Sequence, residues 1–561
     1  MISLGLASFI TVLLSAVVGV LMAVLANIFV TGSKSIASFW DDGFNGLNVS
    51  PLLDFTLLGL ALAALIIFML RRWFKFDRVH GPADSIYAAH LTESNINLRS
   101  GFQSSLIAFV SVSGGAPVGQ YGPLVHLGGV VGSIFNRSLT LTKASSDVWI
   151  GCGVAAAIAA GFQAPIAGVV FAHEAVLRHL SFRAITPICV ASITSYALTK
   201  NWFNLDPIFY MEFPSVELLW SIPILIISGS IFGLVAVIFM KSLFWFGALG
   251  KKMEHNLFVS LFLAFAACAL IGTISPEVLG LGSETINAIF IGGFTLGSLL
   301  VILTLKIIAS SMSIGFGMYG GVFSPALFLG ASTGGCLTKL FGALGVVLPS
   351  HLLPVAGMAS VAACVVGAPL SMVIIVLELT LSYELAVIAM VSTAVSIQVA
   401  SLWFGHSFFD EQLTKRGINL SGGRTALQLS HMRVEEILTQ DYVCFSSSDT
   451  VGDGLRELKN NLRSEGYCVD KGLNFVGKFR VIDLLDANKK MRLVDFCLRE
   501  PITLSANDSV LDAVNIAKSF VGDSMPVLCR EKKRLLGVVS EGDIFKAYIK
   551  AQNQASKVEH V

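Results

Sequence analysis

GGAPVGQYGPLVHLGG, residues 114–129, sets six glycines and two prolines in sixteen residues. The chain around it is 54% hydrophobic and 13% charged, where a soluble domain carries roughly 25% charged residues. Apolar runs such as Leu4–Val30, Phe55–Leu70, Trp220–Met240 and Leu299–Leu305 follow one another to about residue 404. Inside hydrocarbon an unpaired backbone group costs several kcal/mol. A backbone broken this often is therefore tolerated only where it lines a cavity or meets a ligand. Tyr121 stands in the middle of the break.

The same pattern returns 202 residues later. GQYGPLVHLGG from Gly119 and GVFSPALFLGA from Gly321 both read Gly-x-x-x-Pro-x-x-x-Leu-Gly. A second pair follows in the same order: APIAGVVFAHE, Ala164 to Glu174, and APLSMVIIVLE, Ala368 to Glu378. The nearly equal offsets make this one duplication. Repeated membrane halves with Gly/Pro-interrupted helices point to a transport site between them. Gly122-Pro123 and Ser324-Pro325 each precede an apolar stretch, as at a helix start, where proline's missing N–H is no loss. Two helix N-termini, each with unpaired N–H groups and about +0.5 charge, would together hold an anion. The competing reading is that the glycines only let helices pack closely.

Other residues fit a membrane protein. The first apolar run is too long for a signal peptide and lacks a cleavage site, so it reads as a spanning helix. Arg71, Arg72, Lys75 and Arg78 place the loop after the second run in the cytoplasm. The net charge of +1 argues against a nucleic-acid partner. The nine cysteines show no paired spacing and read as core residues, with neither a metal site nor a disulfide framework. Lys306, inside an apolar run, either draws anions toward a pore or snorkels to an interface. Glu174 and Glu378 occupy equivalent places and read as satisfying helix ends.

Together GQYGP (119–123), GVFSP (321–325), the two Ala-Pro segments with their glutamates and HSFFD (406–410) resemble the CLC family of chloride channels and anion/proton exchangers. The resemblance implies an all-α polytopic membrane protein, an inverted repeat of about 18 short, broken, tilted helices. It also implies a homodimer with one pore per subunit. Repeats fall at about 50–200 and 215–410 of a membrane domain spanning 1–420.

The departures bear on function. The family's G-[KR]-E-G-P carries a gating glutamate at its third position; here it is Tyr121, a phenol with a pKa of about 10 that is neutral at pH 7. The exchangers' second, inward-side proton glutamate falls on Ala175. The serine of the family's G-S-G-I-P loop falls on Pro82 in GPADS (81–85), with Ser85 as a fallback ligand. The family's central tyrosine falls on Phe409. The resemblance then assigns anion coordination to Gln120, Tyr121, Gly122 and Pro123 and to backbone N–H groups around Gly321, Val322, Phe323 and Ser324. The Tyr121 hydroxyl would replace one lost donor; equally, its ring would merely fill the space of the absent glutamate. His126 and His173, able to titrate near neutrality, are candidates for a rebuilt proton route.

From Asp410 onward the chain is charged and mixed, with Lys-Lys pairs at 489–490 and 532–533. After a linker at 421–430, residues 431–552 resemble a C-terminal α/β pair of CBS domains (431–488 and 491–552), followed by a tail at 553–561. Ser540 and Asp543 stand where family members hold a nucleotide ribose; Arg480 replaces the hydroxyl in the first copy. An adenine nucleotide is thus a possible ligand, and a purely dimer-bracing pair the other reading. No nucleophile, metal cluster or phosphate loop suggests an enzyme. The expected function is a passive, voltage- or ligand-modulated channel for chloride or a similar small anion. It would lie in the lipid bilayer of a plasma or inner membrane, with the CBS pair cytoplasmic and no cofactor required. The alternatives are an exchanger with a non-glutamate proton route and an anion- or nucleotide-sensing membrane protein.

Overall fold

A computed structural model of the chain describes residues 2–42, 55–74, 78–91, 96–138, 146–203, 218–472, 474–498, 500–529 and 534–559. Lys75 of the basic loop and the Lys-Lys pair at 532–533 lie outside these residues. The chain divides into two compact units, Met1–Gly417 and Ile418–Val561.

Among its described residues the first unit is built of helices, joined by turns and one isolated bridge. Among the described residues, six helices are long and apolar enough to cross a membrane. Their outward-facing side chains are hydrophobic too: Ile28, Trp73 and Leu270 are exposed, as expected of surface turned to lipid. Shorter helices fill the interior, and the duplication governs their packing. In the first repeat helix Tyr121–Ser138 lies against Ser146–Phe162. A Cβ on Gly128 would stand 2.3 Å from Gly153 O, and one on Gly153 1.9 Å from Gly128 O. In the second repeat Phe323–Ala343 lies against Leu352–Val366, and Gly330 and Gly357 face each other as closely, at 2.1 and 2.3 Å. The Leu-Gly half of each motif therefore does serve helix packing; the front half does something else.

The second unit holds two copies of one motif. In the first, a turn at Val434–Glu436 leads to β1 (Cys444–Ser446), helix Val451–Asn460, then β2 (Glu465–Val469) and β3 (Phe475–Arg480). In the second, Leu493–Phe496 leads to β4 (Leu504–Ser505), helix Val510–Ala517, β5 (Ser524–Leu528) and β6 (Leu535–Ser540). Each three-stranded sheet joins its first two strands in parallel and its last two antiparallel. Thr450 with Asp453 and Ser509 with Asp512 form capping boxes at the two helices, as the Ser/Asp turns predict. The copies exchange their leading segments: Thr439 pairs with Val538, and Leu498 with Lys478.

Two expectations are corrected here. Residues 421–430, expected as a linker, are mostly helix (Gly423–His431), with Leu429 buried against Val510, Ala547 and Ala551. The expected tail at 553–561 continues helix Glu541–Glu559 as far as Glu559, with Ala551 and Ala555 buried along its inner face.

Candidate anion-binding site

The front halves of the two glycine motifs meet. Gly119 N–H donates to Gly321 O at 2.7 Å, and Gly321 N–H to Gly119 O at 2.6 Å. This two-residue antiparallel bridge releases one helix at Tyr121 and the other at Phe323. Only glycine allows the approach: a Cβ on Gly119 would stand 2.8 Å from Gly321 O, and one on Gly122 2.9 Å from Gly321 Cα. Leu124 N–H reaches Gln120 O and Ala326 N–H reaches Val322 O, the first helical bonds. The N–H groups of Tyr121, Gly122, Phe323 and Ser324 precede them and so have no acceptor within their own helices; Pro123 and Pro325 have none to satisfy. Two electropositive helix ends thus share one point.

A third helix, Pro82–His90, starts nearby, with Pro82 in its first turn; Pro82 Cγ would lie 3.6 Å from a Cβ on Gly122. Asp84 fixes this start. Its Oδ2 accepts from Gly81 N–H at 2.9 Å, and its Oδ1 accepts from Arg78 at 2.5 Å and Arg416 at 3.0 Å. Tyr319 Oη fills the space that a side chain at Gly81 would need.

Tyr121 is buried, and its ring stacks on Phe162 with centroids 3.6 Å apart. Phe323 lies edge-on to Tyr121 at 5.8 Å and tilted to Phe162 at 4.9 Å. Three rings, one from each helix start and one from the end of helix Ser146–Phe162, close over the junction. Phe162 is followed by Gln163 in the left-handed region (φ 56), where the second repeat has Gly367 (φ 79).

Of the residues expected to meet the anion, Ser324 and Gln120 have side-chain oxygens left open: Ser324 Oγ and Gln120 Oε1 are buried without a hydrogen-bond partner among the described residues. A Cβ on Gly119 would lie 2.9 Å from Ser324 Oγ, so this hydroxyl belongs to the junction. Ser85, the fallback ligand, is committed elsewhere: its Oγ pairs with His126 Nδ1 at 2.9 Å, a turn down the Pro82 helix. His126 stacks on His80. Phe409 is buried in helix Phe408–Thr414, which Ser407 caps and which packs on the Pro82 helix.

Glu174 and Glu378 satisfy helix ends, each on the opposite repeat. Glu174 accepts from the N–H groups of Leu370 and Ser371, both at 2.8 Å, and from Ser371 Oγ. Glu378 accepts from Ile166 and Ala167 N–H at 2.9 and 2.8 Å. The two Ala-Pro helices therefore cap one another reciprocally. Left-handed Arg178 lies four positions after Glu174, but left-handed Leu381 lies three positions after Glu378. A π-helical turn over Ala172–Leu177 absorbs the extra residue, and Ala175 sits within it, buried. His173 turns Nδ1 to Val169 O at 2.9 Å. Lys306 neither snorkels nor reaches the junction: it is buried, with Nζ on Val278 O and Gly280 O at 2.7 and 3.0 Å and over the Phe328 ring.

In the second unit Ser540 Oγ donates to Asp543 Oδ2 at 2.6 Å and accepts from Asp543 N–H, so the pair caps helix Glu541–Glu559. The second oxygen, Oδ1, has Lys546 at 3.8 Å. In the first copy both Asp483 oxygens are taken by Arg480, at 2.9 and 3.0 Å.

The sequence reading singled out neither Phe162, Tyr319, Asp84 nor the Ser324 hydroxyl. Phe162 and Ser324 adjoin the repeated motifs at positions where the two copies differ, a signal that was available. Asp84 and Tyr319 act across long sequence separations, which no local pattern reports.

A family model described as voltage gated chloride channel matches residues 62–401, and a CBS domain model matches residues 493–550. A voltage-gated ClC-type chloride channel, ClcB, of Escherichia coli O81 is 28% identical over 358 residues, 60% of this chain and 81% of that protein. Two crystal structures share the fold. A slow cyanobacterial Cl−/H+ antiporter has TM-score 0.65 at 19% identity over 72% of this chain and 97% of its own. A eukaryotic CLC transporter has TM-score 0.62 at 16% identity over 97% of this chain and 99% of its own.

Proposed function

Because this chain belongs to the voltage gated chloride channel family, we propose that it is a passive, voltage- or ligand-modulated chloride channel, uncoupled from protons. The observation that carries this reading is Tyr121. Where the two helix starts meet, the nearest ionisable side chain is a phenol packed between Phe162 and Phe323, neutral at pH 7. The inward position of the exchangers' second glutamate is Ala175. A coupled exchanger must load and release a proton on each cycle, and neither residue does so readily. The anion would be held by the N–H groups of Gly122, Phe323 and Ser324 and by the Ser324 hydroxyl, which takes the place of donors lost at Pro82 and Phe409.

A second reading, a proton-coupled exchanger, draws on one observation. His126 contacts Ser85 and stacks on His80, whose Nδ1 lies 3.7 Å from Asp84, a string of polar groups beside the third helix start. Chloride efflux from loaded vesicles separates the two. With a potassium ionophore clamping voltage, a channel releases chloride at a rate unchanged by a proton ionophore. An exchanger acidifies or alkalinises the lumen stoichiometrically.

We further propose a homodimer in a plasma or inner membrane, with the second unit cytoplasmic, on the strength of the family resemblance. Asp543 Oδ1 fits a ribose hydroxyl, whereas Asp483 is closed by Arg480, so the second unit would take one adenine nucleotide at Ser540 and Asp543.

A further inference from the structure

We propose that Cys468 and Cys497 are a modification site, a dithiol that closes to a reversible disulfide. The two copies in the second unit repeat each other contact by contact, so each serves as a control for the other. In the second copy Val527 pairs with Gly537 across β5 and β6. A Cβ on Gly537 would stand 2.9 Å from Leu438 Cδ1, and Val527 and Leu438 share a hydrophobic core. In the first copy the same three places are Cys468, Gly477 and Cys497. Cys468 pairs with Gly477 across β2 and β3, and a Cβ on Gly477 would stand 2.8 Å from Cys497 Cβ. Cys497 thus occupies the side-chain space of the residue opposite Cys468. Cross-strand neighbours have Cβ atoms about 4.5–5.5 Å apart, close to the roughly 3.5–4.5 Å that a disulfide needs.

Both thiols pack in the first copy's hydrophobic core, and Cys497 Sγ donates to Leu493 O at 3.5 Å. Filling this contact calls only for apolar volume, which a valine and a leucine supply in the sister copy. Here sulfur stands at both ends. The bond would tie the second copy's leading segment to the first copy's sheet, next to the Lys478–Leu498 pairing where the segments cross.

Access sets the order of events. Cys468 is fully buried, whereas Cys497 is half-buried. The neighbouring Cys497 thiol, followed by burial, pushes the Cys468 thiol well up and keeps it protonated, so Cys497 attacks first. Its thiolate attacks one sulfur of a small disulfide such as oxidised glutathione, whose S–S bond breaks and releases one glutathione thiolate. Cys468 then gives up its proton and attacks the Cys497 sulfur, expelling the second glutathione. Two protein thiols are oxidised, one glutathione disulfide is reduced to two thiols, and the two protons released pass to the glutathiones.

The test equilibrates the detergent-purified full chain in glutathione buffers of rising oxidised fraction, quenches with acid, alkylates and maps peptides by mass spectrometry. Alkylatable thiols should fall from nine to seven, with a linked Cys468–Cys497 peptide that dithiothreitol reverses. The double variant Cys468→Val with Cys497→Leu, which installs the sister copy's pair, should unfold at the parent temperature and keep all its remaining thiols. Nine thiols surviving the most oxidising buffer would overturn the proposal. So would oxidation that stops at a glutathione adduct, or a link to another cysteine.

Discussion

At the scale of single residues the account turns on two hydroxyls at the junction. Tyr121 stacks its ring on Phe162, and Ser324 Oγ is buried with no hydrogen-bond partner among the described residues. Ser324→Ala should weaken chloride binding by about 1 kcal/mol, near fivefold, as a net hydrogen bond is worth. Tyr121→Phe keeps the stack and tests the hydroxyl alone: anion affinity or selectivity shifts if it donates, and stays put if the ring only fills space. Isothermal titration or fluorescence quenching with chloride reads both. The sequence identified Tyr121 and Ser324 by position, because a motif fixes which residue follows which glycine. It gave no sign that Ser85 pairs with His126, 41 residues away, since nothing local announces that contact.

At the scale of elements, the glycine-proline motif does two jobs in ten residues. Its first glycine joins the two helix starts across the repeats, and its last packs each helix on the next within a repeat. The reciprocal caps explain why a glutamate ends each Ala-Pro segment in an otherwise apolar interior. Glu174→Gln or Glu378→Gln turns charge-assisted bonds to backbone N–H groups into weaker ones, and should cost about 1–3 kcal/mol each. The thermal unfolding midpoint in detergent should fall for both, with chloride selectivity retained by whatever protein stays folded. An unchanged midpoint would mean that the caps are incidental. The periodicity of the sequence made the repeat, the helix starts and the Ser/Asp caps legible. The π turn at Ala172–Leu177 was not, since a one-residue insertion inside a uniformly apolar helix leaves hydropathy unchanged. Nor was the helix at Gly423–His431, where two glycines masked a segment that Leu429 anchors.

At the scale of the whole molecule, a duplicated membrane half brings two helix N-termini to one point in an apolar interior, while a second duplicated unit follows it. On the proposed reading the first arrangement would select for anions by dipole and N–H donors, without a carboxylate. The proposed lack of proton coupling rests on the absence of an acidic side chain at Tyr121 and at Ala175, and it calls for a direct measurement. In planar bilayers containing the purified protein, the reversal potential is recorded under a fixed chloride gradient while a pH gradient is imposed in either direction. The account predicts a potential set by chloride alone, the same with and without the proton gradient. A displacement that follows the pH difference in fixed proportion would contradict it.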